Sequence, residues 1–320
     1  MTPTRILLQT TIEPAFDDWS IARFSLLREH LEGLRGEDGA PLYAVTARDR
    51  GAPAGTTDPI LGKIDKSGFD ELWLFAVDAG NGLNAEECAA ISRFRERGGG
   101  LLVTRDHMDL GSSVCTLGGV GKAHHFHSQN PNPDPARRAI DDPFTTAISW
   151  PNYHSGANGD YQEIAPVGEI HPLLADPDAP GEALRYLPSH PHEGDVSAPL
   201  DDPSARVIAT GCSQVTCKRF AIAVAFEPQA GGNGSAVAQS TFHHFADYNW
   251  DPPKGSPSFV TEPPGEGLAG NPEARRQARQ YVSNLARWLA QGESEKAHLD
   301  HMLDEALAET FPASDPTSVS

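Results

Sequence analysis

The chain has few cysteines, few basic residues and no long apolar run. Its four cysteines include no CxxC pair, so neither a cysteine-based zinc site nor a disulfide framework is expected. Lys and Arg total 25 against 44 Asp and Glu, a formal charge of −19 that would repel nucleic acid or an anionic membrane. No segment approaches the roughly 20 apolar residues that span a bilayer, and no secretory signal is recognisable. These features predict a soluble, cytoplasmic protein.

Strand and helix patterns alternate over the first hundred residues. Strands are predicted at Arg5–Ile12, Pro41–Thr46, Glu71–Val77 and in GGGLLVT (98–104), and helices at Phe16–Leu34 and after the cap Asn84. Such alternation indicates parallel strands joined by right-handed crossovers. The sequence therefore predicts an α/β fold with a mainly parallel sheet.

After His107 the pattern changes. A loop-rich insertion is predicted at about 118–204, with weak strand candidates at Thr145–Trp150 and Ala183–Leu187. Antiparallel strands are predicted at Arg206–Thr210, Phe220–Phe226 and Ala236–Phe242, followed by a helix at Pro272–Gln291. Residues 1–291 are thus expected to form one domain. Residues 292–320 predict an acidic amphipathic helix that docks on this domain or on a second subunit as a homo-oligomer contact.

The turn Arg105-Asp106-His107 is the leading candidate for a functional site. Three charged or titratable residues follow a buried strand directly, and ligands of open α/β sheets bind beyond the carboxyl ends of the strands. In a purely structural interpretation, Arg105 and Asp106 form an ion pair that holds the turn. Asp18 and Asp78 follow other predicted strands at the same edge and are candidate substrate binders.

Three further segments are rich in histidine. His243 and His244, with Asp247 after them, follow the last apolar strand; one of the two imidazoles is expected to be a core residue, because neighbours on a strand face opposite ways. His192 and Glu193 lie in the insertion, either over the site or in an ordinary polar loop. His125 belongs to the run His124-His125-Phe126-His127, whose histidine density alone does not indicate a metal.

These motifs together resemble the trehalose-utilisation (ThuA-like) family within the class I glutamine amidotransferase-like fold. The resemblance rests on GGGLLVTRDH, the LGG that follows, Ile170-His171-Pro172-Leu173, TFHHF and the helix with Trp288, and it covers roughly residues 5–291. It implies a flavodoxin-like three-layer sandwich. ThuA-like proteins are associated with sugar metabolism and place a histidine at the turn after the GGG strand.

The chain departs from glutamine amidotransferases at two positions. Asp106 and His107 occupy the turn that carries their nucleophilic cysteine, and Cys115 lies well beyond it. His243 matches their late histidine, but Phe245 stands where a glutamate is expected. Without the thiolate and the glutamate, thiol-based glutamine hydrolysis is excluded.

Two hypotheses follow. In the first, the chain is a hydrolase, lyase or isomerase that acts on a small sugar derivative by acid–base chemistry. His107 and His243 or His244 would exchange protons, Asp106 would orient an imidazole or bind a hydroxyl, and His192 and Glu193 would close over the substrate. Substrate contacts would come from Asp18, Asp78, Arg105, His125 and Asp247. A divalent metal held by some of these histidines is a variant of this hypothesis.

In the second hypothesis, the chain is a non-catalytic binding or scaffold protein that assembles through its tail.

Overall fold

A computed structural model describes residues 2–145, 147–229 and 232–290. Its main element is an eight-stranded sheet. The strands are β1 Thr4–Thr10, β2 Tyr43–Arg48, β3 Glu71–Phe75, β4 Gly100–Thr104, β5 Ala165–Pro166, β6 Ala205–Cys212, β7 Arg219–Phe226 and β8 Ala236–Gln239. Their order in the sheet is β2-β1-β3-β4-β8-β7-β6-β5. The helices are α1 Ser25–Gly33, α2 Ala85–Glu96, α3 Asp247–Trp250, α4 Gly267–Gly270 and α5 Pro272–Leu289.

The sheet confirms the predicted α/β fold class. Strands β2, β1, β3, β4 and β8 pair in parallel, whereas β8–β7, β7–β6 and β6–β5 pair antiparallel. Two small ladders lie outside this sheet, one between His124–His125 and Asp195–Val196 and one between Tyr161–Glu163 and Tyr186–Pro188. Among the described helices, none is long and apolar enough to cross a membrane.

Helices cover both faces of the sheet, which gives three layers. One core contains Ile6 and Leu8 of β1 with Leu27 of α1 and Leu285 of α5. The other contains Leu7, from the opposite face of β1, with the apolar side of α2. Each buried strand contributes side chains to both cores, because successive side chains of a strand point to opposite faces of the sheet.

Glycines separate α2 from β4 and allow close packing at the start of β4. Gly98 ends the α2 segment with a φ of +92°, in the left-handed region that favours glycine. At Gly100 an added Cβ would lie 2.5 Å from the carbonyl oxygen of Leu289, so the end of α5 packs directly on the start of β4. Asn84 caps α2 in a reciprocal capping box with Glu87.

Several element boundaries differ from the prediction. The predicted helix Phe16–Leu34 begins late, with a 3₁₀ turn at Ile21–Phe24 before α1, and Phe16 is exposed. No strand forms over the described part of Thr145–Trp150, and Ala183–Leu187 supplies only an isolated bridge and part of Tyr186–Pro188. Strand β8 ends at Gln239, three residues early, because the chain turns there into a 3₁₀ helix at His243–Phe245. The predicted tail helix lies outside the described residues.

Asp247 caps helix α1 and should therefore stabilise the fold. Its carboxylate accepts hydrogen bonds from the Ser25 amide and hydroxyl at 3.0 and 2.6 Å and from the Leu26 amide at 2.8 Å. We expect Asp247→Ala to lower the free energy of unfolding by about 2 kcal/mol, the usual scale for a buried charged cap. Asp247→Asn, which keeps one acceptor, should lose less. Urea denaturation measures both; equal losses would contradict the capping role.

Candidate active site

A cleft of about 640 Å³ opens at the carboxyl ends of β1, β3 and β4. Thr11 follows β1, Asp78 follows β3, and Asp106 and His107 follow β4, so each strand delivers polar groups to the same edge. The volume suits a small molecule. Trp19, Leu110, Ile148 and Phe259 add apolar walls to it.

The turn after β4 is tight and anchored from behind. The Asp106 amide donates to the Leu110 carbonyl at 3.2 Å, and Met108 adopts a φ of +50°, which is uncommon for a residue with a side chain. The buried Arg105 guanidinium donates to the carbonyls of Asp106, Met108, His125 and Asp195 and lies over the Phe126 ring. Arg105 thus fixes the turn without entering the cleft.

The Asp106 carboxylate lies among three imidazoles. Its Oδ2 is 3.3 Å from His107 Nδ1 and 3.7 Å from His243 Nε2, and its Oδ1 is 3.2 Å from His190 Nε2. These are ion-pair distances. Asp106 Oδ1, His107 Nδ1 and His190 Nε2 are buried, and among the described residues none of the three has a partner in full hydrogen-bond geometry. Buried polar atoms without such partners are costly, so this cluster is a candidate to bind a ligand.

Burial and neighbouring side chains act on the pKa values of the groups in this cluster. Burial raises the pKa of Asp106, but the neighbouring imidazoles of His107 and His190 outweigh it and hold that pKa well below its usual range. Burial and the adjacent His243 lower the pKa of His190 well below 6.5. The His190 and His243 rings stack with centroids 3.5 Å apart, an arrangement that two imidazolium cations would disfavour. Asp106 is therefore ionised at neutral pH while His190 is neutral.

Two buried amides hold the outer sides of these rings. His190 Nδ1 is 3.0 Å from Asn158 Oδ1, and His243 Nδ1 is 2.9 Å from Asn249 Oδ1. The Trp19 ring packs edge-on against His243, with centroids 4.6 Å apart. Both imidazoles are thus fixed in orientation, with Nε2 toward Asp106.

A second cluster lies beside the first. His192 Nε2 is 2.6 Å from Glu262 Oε1, and His192 Nδ1 is 3.2 Å from Asn152 Oδ1 and 3.9 Å from Asp142 Oδ2. Burial raises the pKa of Glu262, but its interactions with His192, Thr145 and His154 together outweigh burial, so the net shift of that pKa is downward. The His192 ring centroid is 5.2 Å from that of His107. This His192–Glu262 pair is placed to transfer protons at the edge of the first cluster.

Both clusters have the donor types of a metal site. In each, three ligand atoms lie within 4.8 Å of one another: those of Asp106, His107 and His190, and those of Asp142, His192 and Glu262. The first set is the better fit, because its three donors lack hydrogen bonds whereas Glu262 and His192 satisfy each other. A carboxylate with imidazoles suits Mn, Fe, Co or Zn better than Mg or Ca, which prefer oxygen ligands.

Six of the residues chosen from the sequence line the cleft. They are Asp18, Asp78, Asp106, His107, His192 and His243. Asp78 is held in its turn by the Gly80 amide and the Ser113 hydroxyl, and Asp18 accepts from the Trp19 amide. The question of which late imidazole faces the cleft is answered by position: it is His243.

The other five residues chosen from the sequence are not among those that line the cleft. Glu193 is fully buried and accepts hydrogen bonds from the hydroxyls of Ser155 and Ser240, each at 2.6 Å. The other four are also engaged in structural contacts: His244 with Gln162 and Gln239, His125 with Asn130 and Ser197, Arg105 with backbone carbonyls, and Asp247 with the start of α1. The proposed Arg105–Asp106 side-chain ion pair does not form either, since Arg105 binds the Asp106 carbonyl.

Sequence reasoning missed His190, Glu262, Asn158 and Asn249. His190 lies two positions before His192, a spacing that could have placed both imidazoles on one side of an extended segment. Glu262 lies in a Pro/Gly-rich loop without any motif. The two asparagines carry no sequence signal, because their role depends on neighbours about 60 to 90 positions away.

Similar solved structures were found, but no protein-family model matches the sequence, and neither does any curated protein. The N-terminal domain of mmIFT52 matches with 12% identity and a TM-score of 0.48, covering 89% of this chain and 97% of that one. The glutaminase domain of Trypanosoma brucei CTPS, with bound acivicin, matches with 15% identity and a TM-score of 0.46, over 88% and 92%. A thua-like protein from Parabacteroides merdae matches with 13% identity and a TM-score of 0.44, over 91% of both chains. The similar structures thus include both kinds of protein that the sequence resembles.

His124, outside the cleft, should make stability depend on pH. It is fully buried, and neither ring nitrogen has a hydrogen-bond partner in the part of the chain that the structure describes. Burial, with the nearby Arg105 charge, lowers its pKa well below 6.5. As the pH falls, His124 takes up a proton in the unfolded chain at a higher pH than in the folded protein. The contribution of neutral His124 to the free energy of unfolding is therefore complete above pH 6.5 and is lost as the pH falls toward the folded-state pKa. We expect the free energy of unfolding of His124→Leu to fall less steeply between pH 6.5 and 5, by up to about 1.4 kcal/mol per pH unit. Parallel urea titrations test this, and identical slopes would refute it.

Proposed function

We propose that the cleft is the active site of an enzyme that acts on a small, neutral sugar derivative with the help of a divalent cation. The observation that carries this proposal is the convergence of ligand atoms from Asp106, His107 and His190. Each of these residues has a buried polar atom without a hydrogen-bond partner among the described residues. A cation among them would satisfy all three, and His243 Nε2 is close enough to be a fourth ligand. A cytoplasmic location stays a prediction from the sequence.

The lining of the cleft favours a neutral, hydroxyl-rich substrate. Among the described residues that line it, five carry carboxyl groups: Glu13, Asp18, Asp78, Asp106 and Glu262. The guanidinium of Arg50 is occupied by backbone carbonyls and by Glu87 at 2.7 Å. Carboxylates accept hydrogen bonds from hydroxyls and repel phosphate or carboxylate, while Trp19 and Phe259 offer apolar surface to the carbon face of a ring.

The chemistry would be proton transfer beside a polarised oxygen. When bound, a divalent cation supplies Lewis acidity to a carbonyl or hydroxyl oxygen of the substrate. His192 would exchange a proton with the substrate, and Glu262, 2.6 Å away, would orient the ring and stabilise its charged form. Such a step is shared by hydrolases, lyases and isomerases. Thiol chemistry has no support, since Cys115 hydrogen-bonds Gln129 and lies outside the described lining.

Cation binding tests the proposal first. Untagged protein should bind about one Mn²⁺ or Zn²⁺ per chain in preference to Mg²⁺, measured by elemental mass spectrometry and calorimetry. Asp106→Asn should weaken binding by at least about 100-fold, because losing an outer partner of a ligand already costs roughly 10–100-fold. The matched control is Asp201→Asn, which removes an exposed carboxylate at the protein surface. Equal binding by both variants would overturn the assignment.

Substrate charge provides a second test. Neutral sugar derivatives should bind the cation-loaded protein at least about tenfold more tightly than their phosphorylated counterparts, and low salt should widen the gap because repulsion is less screened. Calorimetry measures binding, and a product assay on the same panel measures turnover. A preference for phosphorylated ligands would contradict the proposed substrate class. Tight binding of neutral ligands without turnover would favour the non-catalytic binding protein instead.

A further inference from the structure

We infer that Asn249 and Asn158 are positioning residues that hold His190 and His243 with the proton on Nδ1, so that both Nε2 lone pairs face Asp106. The inference deepens the proposed cation site and rests on it for its purpose. The protonation pattern itself can be measured without any metal.

The orientation of the Asn249 amide is fixed by the backbone. Asn249 Nδ2 lies 2.8 Å from the carbonyl oxygen of Ser189, and a carbonyl can only accept a hydrogen bond. This end of the amide must therefore be the nitrogen, and the oxygen must face His243 Nδ1 at 2.9 Å. His243 Nδ1 is consequently the donor in that hydrogen bond.

The same reasoning extends one residue further. Asn249 Nδ2 also lies 2.8 Å from Asn158 Oδ1, so that atom must be an acceptor. Asn158 Oδ1 in turn faces His190 Nδ1 at 3.0 Å, which makes this nitrogen a donor too. One backbone carbonyl thus determines the protonated nitrogen of two histidines through two amides.

Burial makes this pattern strict. Asn158, Asn249, Ser189, His190 and His243 are each no more than 3% exposed, so water is poorly placed to supply other partners. With Nδ1 protonated, a neutral imidazole has a bare lone pair at Nε2. Two such lone pairs facing the Asp106 carboxylate are unfavourable without a cation and are suited to binding one.

Two substitutions with the same charge change should have opposite effects. Asn249→Asp removes the N–H, and the new oxygen would face Asn158 Oδ1. The Asn158 amide should then rotate, donate to His190 Nδ1 and move the His190 proton to Nε2, where it blocks cation binding. Asn158→Asp keeps an acceptor for both donors, so both histidines should keep their protonation pattern.

The experiment combines imidazole ¹⁵N NMR on metal-free protein with Mn²⁺ calorimetry. Wild type and Asn158→Asp should show both rings protonated at Nδ1, and Asn158→Asp should bind Mn²⁺ within about threefold of wild type or more tightly. Asn249→Asp should show His190 protonated at Nε2 and bind Mn²⁺ roughly 10–100-fold more weakly, the usual cost of losing an outer-shell partner. Substitution of His190 or His243 by Gln assigns the signals.

Each outcome separates the two claims. Nε2 protonation of either ring in wild type, or an unchanged pattern in folded Asn249→Asp, overturns the positioning role. If Asn249→Asp does not fold, Asn158→Leu takes its place. It removes the acceptor that His190 Nδ1 and Asn249 Nδ2 share, while Asn249 keeps its hydrogen bond to the Ser189 carbonyl, so His243 should be unchanged. An unaltered His190 would equally refute the inference. If wild type shows the stated pattern but binds no divalent cation, the positioning role stands and the proposed cation site fails.

Discussion

The cleft is organised by one buried negative charge, the carboxylate of Asp106. A carboxylate removed from water must be compensated by positive charge or by hydrogen bonds, and here the described neighbours supply imidazoles at 3.2 to 3.7 Å without aligned hydrogen bonds. Different parts of the fold place Asp106 and these imidazoles together. Strand β4 delivers Asp106 and His107, the insertion delivers His190, and the 3₁₀ turn after β8 delivers His243.

The contacts of His190 and His243 differ in kind from those of His192. His190 and His243 donate outward to amides and leave Nε2 bare, which suits a ligand for a cation. Both ring nitrogens of His192 face oxygen acceptors, on Glu262 and Asn152, which suits a proton donor. Environments that set like residues to unlike protonation states are the usual basis for assigning acid, base and ligand roles.

The insertion has a positioning role that its irregular sequence conceals. Tyr153 pairs with Glu193 in an isolated β-bridge. The buried Glu193 carboxylate accepts hydrogen bonds from the hydroxyls of Ser155 and Ser240. Glu193 therefore ties the segment that carries His190 and His192 to the end of β8. A residue that the sequence offered as a catalytic candidate instead holds the segment with His190 and His192 against the sheet.

The sequence alone determined the parallel half of the fold and the edge where the cleft lies. Apolar strands alternating with capped helices leave little choice of topology, and Asp106 and His107 directly after β4 must emerge at the carboxyl edge. It did not determine which of His243 and His244 faces the cleft, because the chain leaves β8 at Gln239 and the alternation of a strand no longer applies. Nor did it reveal that Asp247 caps α1 or that Asn249 orients His243 and Asn158. The contacts of Asp247 with α1 and of Asn249 with Asn158 join residues far apart in the chain, and only tertiary packing brings these partners within hydrogen-bonding distance.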